Sequence, residues 1–234
     1  MKKVIAILTL LLLVNATLAL ADGPLIFGAK EPIGEAPSRD AFHCQPLNPY
    51  FNVHQASTGF GSEFADDIPS EYMGTVISEV SLYVGEFYGD WIDPDGVVLN
   101  FYNSECLPSL EPDVTFYFPW ADIHKEMVYD GSWRVYLVSL TLPQELVVQS
   151  EMSLGAFVDN NWGGAEPFCG VGITDYDDVY GACDGAVDAV DWGYPRWTSS
   201  SHYTGMGLDL AYCLTTGTVA TDEKTWGTLK SFYR

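Results

Sequence analysis

An acidic, irregular stretch between residues 158 and 185 holds the side chains best suited to chemistry. Long irregular loops inside a compact domain are often functional. Calcium binds six to eight oxygen atoms from carboxylates, amides and backbone carbonyls. We therefore predict a calcium site built from this stretch and from an acidic pair nearer the N-terminus: Asp159, Asp175, Asp177, Asp178, Asp184, Asp66 and Asp67. The alternative is that these side chains only cap backbone amides in turns.

Aromatic side chains in two loops form a second candidate site. Sugar-binding sites on β-sandwiches combine aromatic faces with amide and carboxylate groups that fix the hydroxyls. The candidate ligand contacts are Trp192, Tyr194, Trp197, Asn161 and Trp162. They predict a carbohydrate-binding platform near the acidic stretch. The alternative is that the rings are buried at the edges of the sandwich.

Motifs for catalysis are absent from the sequence. It contains no Gly-x-Ser-x-Gly, no His-Glu-x-x-His and no phosphate-binding glycine loop. His43 lies beside Cys44, which would matter for thiol chemistry only if Cys44 were outside a disulfide. We expect no catalytic role, and a glycan-active enzyme that uses paired carboxylates is the less favoured alternative.

The N-terminus has the three parts of a secretory signal peptide. Lys2 and Lys3 precede an apolar run that ends at the small-residue site Ala19-Leu20-Ala21. We predict cleavage after residue 21, no transmembrane anchor after cleavage, and a secreted or periplasmic location. The remainder has no Asn-x-Ser/Thr acceptor, which favours a bacterial source over a glycosylated secretory one.

Charge narrows the range of partners. The net charge is −22 at pH 7, with 10 basic and 32 acidic residues. This argues against nucleic acid and anionic lipid as partners. A polysaccharide or another cell-surface component remains compatible with it. The charge could also serve only to keep an exported protein soluble.

Five cysteines can oxidise in an exported chain. We predict a disulfide between Cys169 and Cys183, because that pair closes a short loop. The spacing fits no CxxC zinc pattern, so metal–thiolate binding is the weaker alternative.

Short runs of alternating apolar residues dominate the chain after residue 58. Such runs, with period 2, are typical of half-buried strands and lie near residues 76–84, 97–102, 114–118, 133–138, 152–158 and 206–214. Asp130-Gly131 indicates a two-residue hairpin turn. The fold class predicted is all-β: an antiparallel β-sandwich of about eight or nine strands, most simply a jelly roll.

The predicted organisation has four parts. Residues 1–21 form the signal peptide, and residues 22–57 form an extended, Pro- and Gly-rich N-terminal segment. Residues 58–215 form the sandwich. Residues 216–234 form a linker and a short tail, which either docks on the sandwich or is frayed.

Three short motifs, in order along the chain, resemble those of β-sandwich modules near the C-termini of exported bacterial proteins. Ala65-Asp66-Asp67-Ile68 is similar to their Ala-Asp-Asp-Phe opening, with isoleucine in place of the aromatic residue. Residues 208–212 are similar to their closing strand, and residues 225–230 to their Trp-Gly tail. The resemblance implies a jelly-roll-like fold and an accessory, non-catalytic role. It carries no established activity or binding residue to this chain.

These observations lead to two expected functions. The first is a secreted, calcium-stabilised binding module for glycans. The second is a structural or cell-surface-associated protein with no small-molecule ligand.

Overall fold

The structure is a computed structural model. It describes residues 26–28, 41–48, 52–87, 93–104, 106–131, 134–160, 168–174, 182–188, 190, 193–204 and 207–217. The predicted signal peptide and most of the predicted tail lie outside these residues.

Two antiparallel sheets make up the described part of the chain, so the predicted all-β sandwich is confirmed. The strands are β1 (Ile26–Gly28), β2 (Ala41–Cys44), β3 (Asn52–Gln55), β4 (Glu63–Asp67), β5 (Val76–Phe87), β6 (Gly96–Tyr102), β7 (Val114–Pro119), β8 (His124–Asp130), β9 (Arg134–Val147), β10 (Ser153–Asp159), β11 (Phe168–Ile173), β12 (Ala186–Asp188), β13 (Thr198–Ser199) and β14 (Tyr212–Thr215). Short 3-10 turns cover Thr58–Phe60, Ser70–Tyr72 and Trp120–Asp122, and one helix, α1, covers Ser200–Thr204.

The eight-stranded sheet is organised around the long strand β5. Strand β9 pairs along one edge of β5 and also pairs with β8. Along the other edge, β14 pairs with residues 79–82 and leads to β2, whereas β11 pairs with residues 84–87 and leads to β3 and β1. The predicted hairpin is confirmed in place as the connection between β8 and β9, but the predicted two-residue turn is wrong, because three residues separate the paired Asp130 and Arg134.

The six-stranded sheet has the order β13-β12-β4-β10-β6-β7. Alternate residues of its strands point into the core between the two sheets, among them Phe64, Leu99, Phe101 and Leu154. They pack against Val80, Leu82, Leu140 and Tyr212, among others, from the eight-stranded sheet. The intervening residues form the opposite, outer face of the six-stranded sheet. Polar side chains on that face form the candidate site.

The segment 22–57 contributes to the sandwich itself. Strands β1, β2 and β3 all belong to the eight-stranded sheet, and β3 lies between β1 and β11. The boundary expected at residue 58 therefore divides one sheet. Proline and glycine interrupt this segment, and strands of three or four residues are too short to display a clear alternation.

Two disulfides link distant parts of the chain. Cys44 and Cys213 are directly opposite each other on β2 and β14, with their Cα atoms 4.1 Å apart. Cys106 is bonded to Cys183, with a Cα–Cα distance of 5.2 Å. Disulfides of this kind are typical of proteins that fold in an oxidising compartment.

The predicted Cys169–Cys183 disulfide is therefore wrong. Cys169 lies in β11, is buried in the core between the sheets and belongs to neither disulfide. Closing a short loop would restrict the unfolded chain least, and the fold instead places Cys183 beside a loop that is 77 residues away in sequence. Because Cys44 is bonded to Cys213, thiol chemistry by a His43–Cys44 pair is excluded as well.

Candidate ligand-binding face

The predicted calcium ligands fall into four groups, of which Asp184 is the last. Asp175, Asp177 and Asp178 lie outside the described residues. Asp159 is the last residue of β10, whereas Asp67 is paired with Ser153 at the first residue of β10. Six residues of strand separate these ends by about 20 Å. The structure therefore does not bring Asp159 together with Asp66 and Asp67.

Asp66 and Asp67 hold two loops by accepting backbone hydrogen bonds. Asp66 is buried and accepts from the amides of Asp67 at 2.8 Å and Leu210 at 3.0 Å. Asp67 accepts from the amides of Ala182 at 2.9 Å and Cys183 at 3.3 Å. This is the capping role that was the alternative to calcium binding.

A third buried acid, Asp209, lies beside this pair and was not singled out from the sequence. Its carboxylate accepts from the amide of Gly185 at 2.9 Å. Burial, followed by the neighbouring charges of Asp209 and Asp67, holds the pKa of Asp66 well above its usual range. The amides of Leu210 and Asp67 only partly oppose this shift.

No group of three or more His, Cys, Asp or Glu side chains suited to a metal ion occurs in the described ranges. Asp184, the remaining predicted ligand, follows Cys183 and lines a surface cavity. Asp159 accepts a hydrogen bond from the Thr58 hydroxyl at 3.0 Å. Calcium binding by the stretch 175–178 stays a prediction.

The predicted aromatic platform does not form around Trp197. Its side chain is only 6% exposed and packs edge-on against Tyr102, with ring centroids 5.4 Å apart. The indole nitrogen donates to the backbone oxygen of Ser109 at 3.1 Å. Tyr194 is partly buried and packs against the core. Trp192, Asn161 and Trp162 lie outside the described residues.

Trp197 is instead part of a cover over one half of the outer face. The cover consists of the loops 106–113 and 193–197. The Trp197 ring seals the small outer-face residues Ala65 and Ala186, together with Tyr102. Cys106 and Trp197 both have left-handed backbone, with φ of 64° and 58°. Such angles are unfavourable for these residue types, so the disulfide and the indole packing must hold the loops in place.

A hydrogen-bonded network extends across the outer face, from Tyr102 beneath the Trp197 ring to Thr115, which is exposed; Asn100 within it is only 6% exposed. Glu63 on β4 accepts from the Asn100 amide at 3.0 and 3.1 Å and from the Tyr102 hydroxyl at 3.0 Å. The Thr115 hydroxyl on β7 donates to Asn100 Oδ1 at 2.7 Å. The network therefore fixes the orientation of polar groups across the strands from β4 to β7.

Gly155 provides the space that this network needs. It lies on β10 between Ala65 and Asn100, and a Cβ atom at this position would collide with Glu63 Oε1. Glycine in a strand often marks such a close approach. The Glu63 side chain reaches across β10 to β6 over this glycine.

We expect Gly155→Ala to lower the free energy of unfolding by about 1–3 kcal/mol, because the new methyl group displaces the Glu63 carboxyl. Chemical denaturation of the purified variant measures this. In the double variant Gly155→Ala/Glu63→Ala most of that penalty should vanish, since the clash is gone. Strictly additive penalties would show that Gly155 has another role.

The carboxyl of Glu63 has an unusual acidity. Burial raises its pKa to about 7, although the hydrogen bonds from Asn100 and Tyr102 oppose the shift. Asp188, its register partner on β12, raises the pKa further, whereas Arg196 lowers it. Arg196 itself pairs with Asp188 at 3.1 Å and reaches Glu111 at 4.0 Å. Perturbed acids of this kind are concentrated at functional sites.

The raised pKa of Glu63 predicts a pH-dependent stability. The unfolded chain loses this proton near the ordinary glutamate pKa of about 4.5, whereas the folded protein keeps it until about 7. The contribution, about 3 kcal/mol, is therefore full below pH 4.5 and is lost as the pH rises to 7. Urea unfolding should show this loss in the wild type and not in Glu63→Gln. Parallel stability–pH curves for the two proteins would contradict it.

One aromatic ring on the outer face is open to solvent. Tyr117 on β7 is 49% exposed and shares the face with Thr115, two residues earlier. Its ring lies over Gly96, where a Cβ atom would meet it at 2.8 Å. The ring therefore lies towards the end of β6 where Gly96 is paired with Asp159, and its hydroxyl donates to the Asp159 carboxylate. Asn100 lies four residues further along β6, about 13 Å from Gly96.

Comparison with protein-family models, curated proteins and solved structures gave no significant match. Among the described residues, no helix has the length and apolar character needed to cross a membrane.

Proposed function

We propose that the protein is an exported, non-catalytic β-sandwich module that binds a neutral glycan on the outer face of its six-stranded sheet. The observation that carries the proposal is the network of Glu63, Asn100 and Thr115 on the same sheet face as the exposed ring of Tyr117. The site is displaced from the loop platform expected from the sequence. It combines the same kinds of chemical group.

The chemistry of these groups suits a sugar. The apolar face of a pyranose stacks on an aromatic ring, and its hydroxyls need donors and acceptors in fixed positions. Tyr117 offers the ring, and Thr115 offers an exposed hydroxyl two residues earlier on β7. The partly buried Glu63 offers an acceptor on the far side of Asn100, within reach of a further sugar unit of the chain. Because the carboxyl, amide and hydroxyl are already hydrogen-bonded, little side-chain entropy would be lost on binding.

The negative charge of the chain favours uncharged glycans over acidic ones. With 32 acidic and 10 basic residues, the protein repels polyanions such as uronic acid polymers. The proposed ligand is therefore an uncharged polysaccharide. Calcium belongs to the proposal as a stabilising ion held by Asp175, Asp177 and Asp178, separately from the sugar site.

The test is a binding screen of neutral and acidic polysaccharides in calcium or chelator, followed by calorimetry on any ligand found. Tyr117→Ala should weaken binding at least about tenfold through lost stacking, whereas Tyr117→Phe should retain it. Met127→Ala serves as the control, since Met127 is 48% exposed on β8 of the other sheet. Glu63→Gln should also weaken binding.

If no polysaccharide binds, the proposal fails and the structural, surface-associated role replaces it. Binding that Tyr117→Ala leaves unchanged would place the sugar elsewhere. If calcium stabilises the protein and no sugar does, the calcium part of the proposal is kept and the glycan part is rejected.

A second candidate, glycan hydrolysis, is favoured by one observation. Glu63 and Asp188 are directly opposite each other on β4 and β12, and Asp188 is paired with Arg196. An acid with a raised pKa and a second, ion-paired carboxylate are the two kinds of group that glycosidases use. Release of reducing ends from a bound polysaccharide, abolished in both Glu63→Gln and Asp188→Asn, would establish this activity.

A further inference from the structure

A surface cavity of about 410 Å³ lies beside the Cys106–Cys183 disulfide. Its lining is mostly apolar and includes both half-cystines, Leu107 and Ala182. Asp184 and Ser199 contribute its polar groups. The cavity shares no lining residue with the network of Glu63, Asn100 and Thr115. It is therefore a separate feature of the molecule.

The walls of this cavity are held rigidly. The disulfide joins the cover loop to the segment that precedes β12. Asp67 accepts hydrogen bonds from the amides of Ala182 and Cys183, which fixes the backbone on that side. Ser199 lies in β13, which pairs with β12. A ligand would meet a preformed surface.

Charge in and around the cavity is negative. Asp184 makes no hydrogen bond or ion pair with any other described residue, so its carboxylate can accept a new donor. Asp67 lies behind the wall formed by Ala182 and Cys183. The described residues that line the cavity include no lysine, arginine or histidine. A cationic ligand is thus the only charged class that this field attracts.

Leu107 provides an apolar wall against which part of the ligand can pack. It is 49% exposed, which is a large apolar surface for a residue at a cavity wall. An unbranched alkyl chain can lie along Leu107 and the disulfide, with a terminal ammonium group at Asp184. Lysine side chains have this combination of an apolar stem and a compact charged end.

We propose that the cavity lined by Cys106, Leu107, Ala182, Cys183, Asp184 and Ser199 binds an alkylammonium group, as carried by a lysine side chain. The charge complementarity of Asp184 and the apolar wall of Leu107 and the disulfide support this assignment. The ligand is either a basic peptide segment of a partner or a free alkylamine, because both present the same chemistry.

The experiment is an NMR titration of the full mature chain with Nα-acetyl-lysine methylamide. The norleucine analogue, which lacks the ammonium group, is the matched control. The lysine compound should shift the amide signals of Ala182, Cys183 and Ser199, with a Kd on the order of 1 mM. Asp184→Asn should weaken this binding about fivefold or more, and so should high salt. Asp122→Asn, at an exposed acid elsewhere, should leave it unchanged.

Further titrations distinguish a free alkylamine from a lysine of a peptide and define the results that would overturn the proposal. Cadaverine binding as tightly as the lysine compound would assign the site to free amines, and weaker cadaverine binding would assign it to peptides. Equal binding of the norleucine analogue would overturn the proposal, because the ammonium would then contribute nothing. Absence of shifts at 50-fold the expected Kd, with a folded spectrum, would overturn it too. These outcomes do not depend on the glycan screen.

Discussion

Replacement of Asp66 by alanine should lower the free energy of unfolding by about 2–4 kcal/mol. The side chain accepts two backbone hydrogen bonds in the interior, from Asp67 and Leu210, and alanine would leave both amides without a partner. Leu210 belongs to the segment that leads into β14, so the loss should also loosen the last strand of the sandwich.

Loss of the Asp66 carboxyl and simple loss of packing differ in how the penalty depends on pH. The pKa of Asp66 is raised well above its usual value by burial and by Asp209, so its stabilising contribution is largest in acid and declines as the pH rises. The penalty measured by urea unfolding should therefore be larger at pH 5 than at pH 8. Asp122→Ala, at an exposed acid, should cost less than about 0.5 kcal/mol at both. A penalty for Asp66→Ala that grows with pH would contradict the assignment.

Removal of the Cys106–Cys183 disulfide should have a comparably large effect. The bond closes a loop of 77 residues, for which the chain-entropy model predicts about 4 kcal/mol. The double variant Cys106→Ala/Cys183→Ala should accordingly unfold about 8–16 °C lower in a thermal scan. Because the disulfide also holds the cover, protease cleavage within residues 106–113 should become faster.

Peptide mapping under non-reducing conditions checks the pairing directly. Mass spectrometry should find one peptide that contains Cys106 and Cys183 and another that contains Cys44 and Cys213. Recovery of a Cys169–Cys183 peptide, or a loss of stability below about 1 kcal/mol in the double variant, would show that this account of the cover is wrong.

Long alternating strands could be predicted from the sequence, and short ones could not. Strand β9 has 14 residues and buries alternate side chains along part of its length, which gives it a visible period of two. Strands β1, β12 and β13 have three residues or fewer, and their position depends on pairing with distant segments. About eight or nine strands were expected, and the described residues contain fourteen.

The candidate site was missed because its signals lie inside strands. The candidate residues chosen from the sequence were mostly Asp, Asn and aromatic residues in loops. Glu63, Asn100 and Gly155 instead lie in strands β4, β6 and β10. Two signals were available: a glycine within an apolar strand, which marks a close approach, and an asparagine within another. Their significance depends on the order of the strands, because only the order places β4 and β6 on either side of β10.

The errors in the predicted site have a common physical origin. Spacing along the chain favoured Cys169 as the partner of Cys183, and position in a loop favoured an exposed Trp197. In the folded protein the loop containing Cys106 packs over the outer face, where it meets both Cys183 and Trp197. A contact between segments so distant in sequence leaves no local pattern in either of them.

The central claim is that the outer face of the six-stranded sheet is the ligand-binding face. It is tested most directly by NMR mapping of a neutral oligosaccharide titrated into the isotope-labelled protein. We expect the largest shifts at Glu63, Asn100, Thr115 and Tyr117, and we expect them to disappear in Tyr117→Ala. Shifts confined to the eight-stranded sheet, or unchanged in that variant, would contradict it.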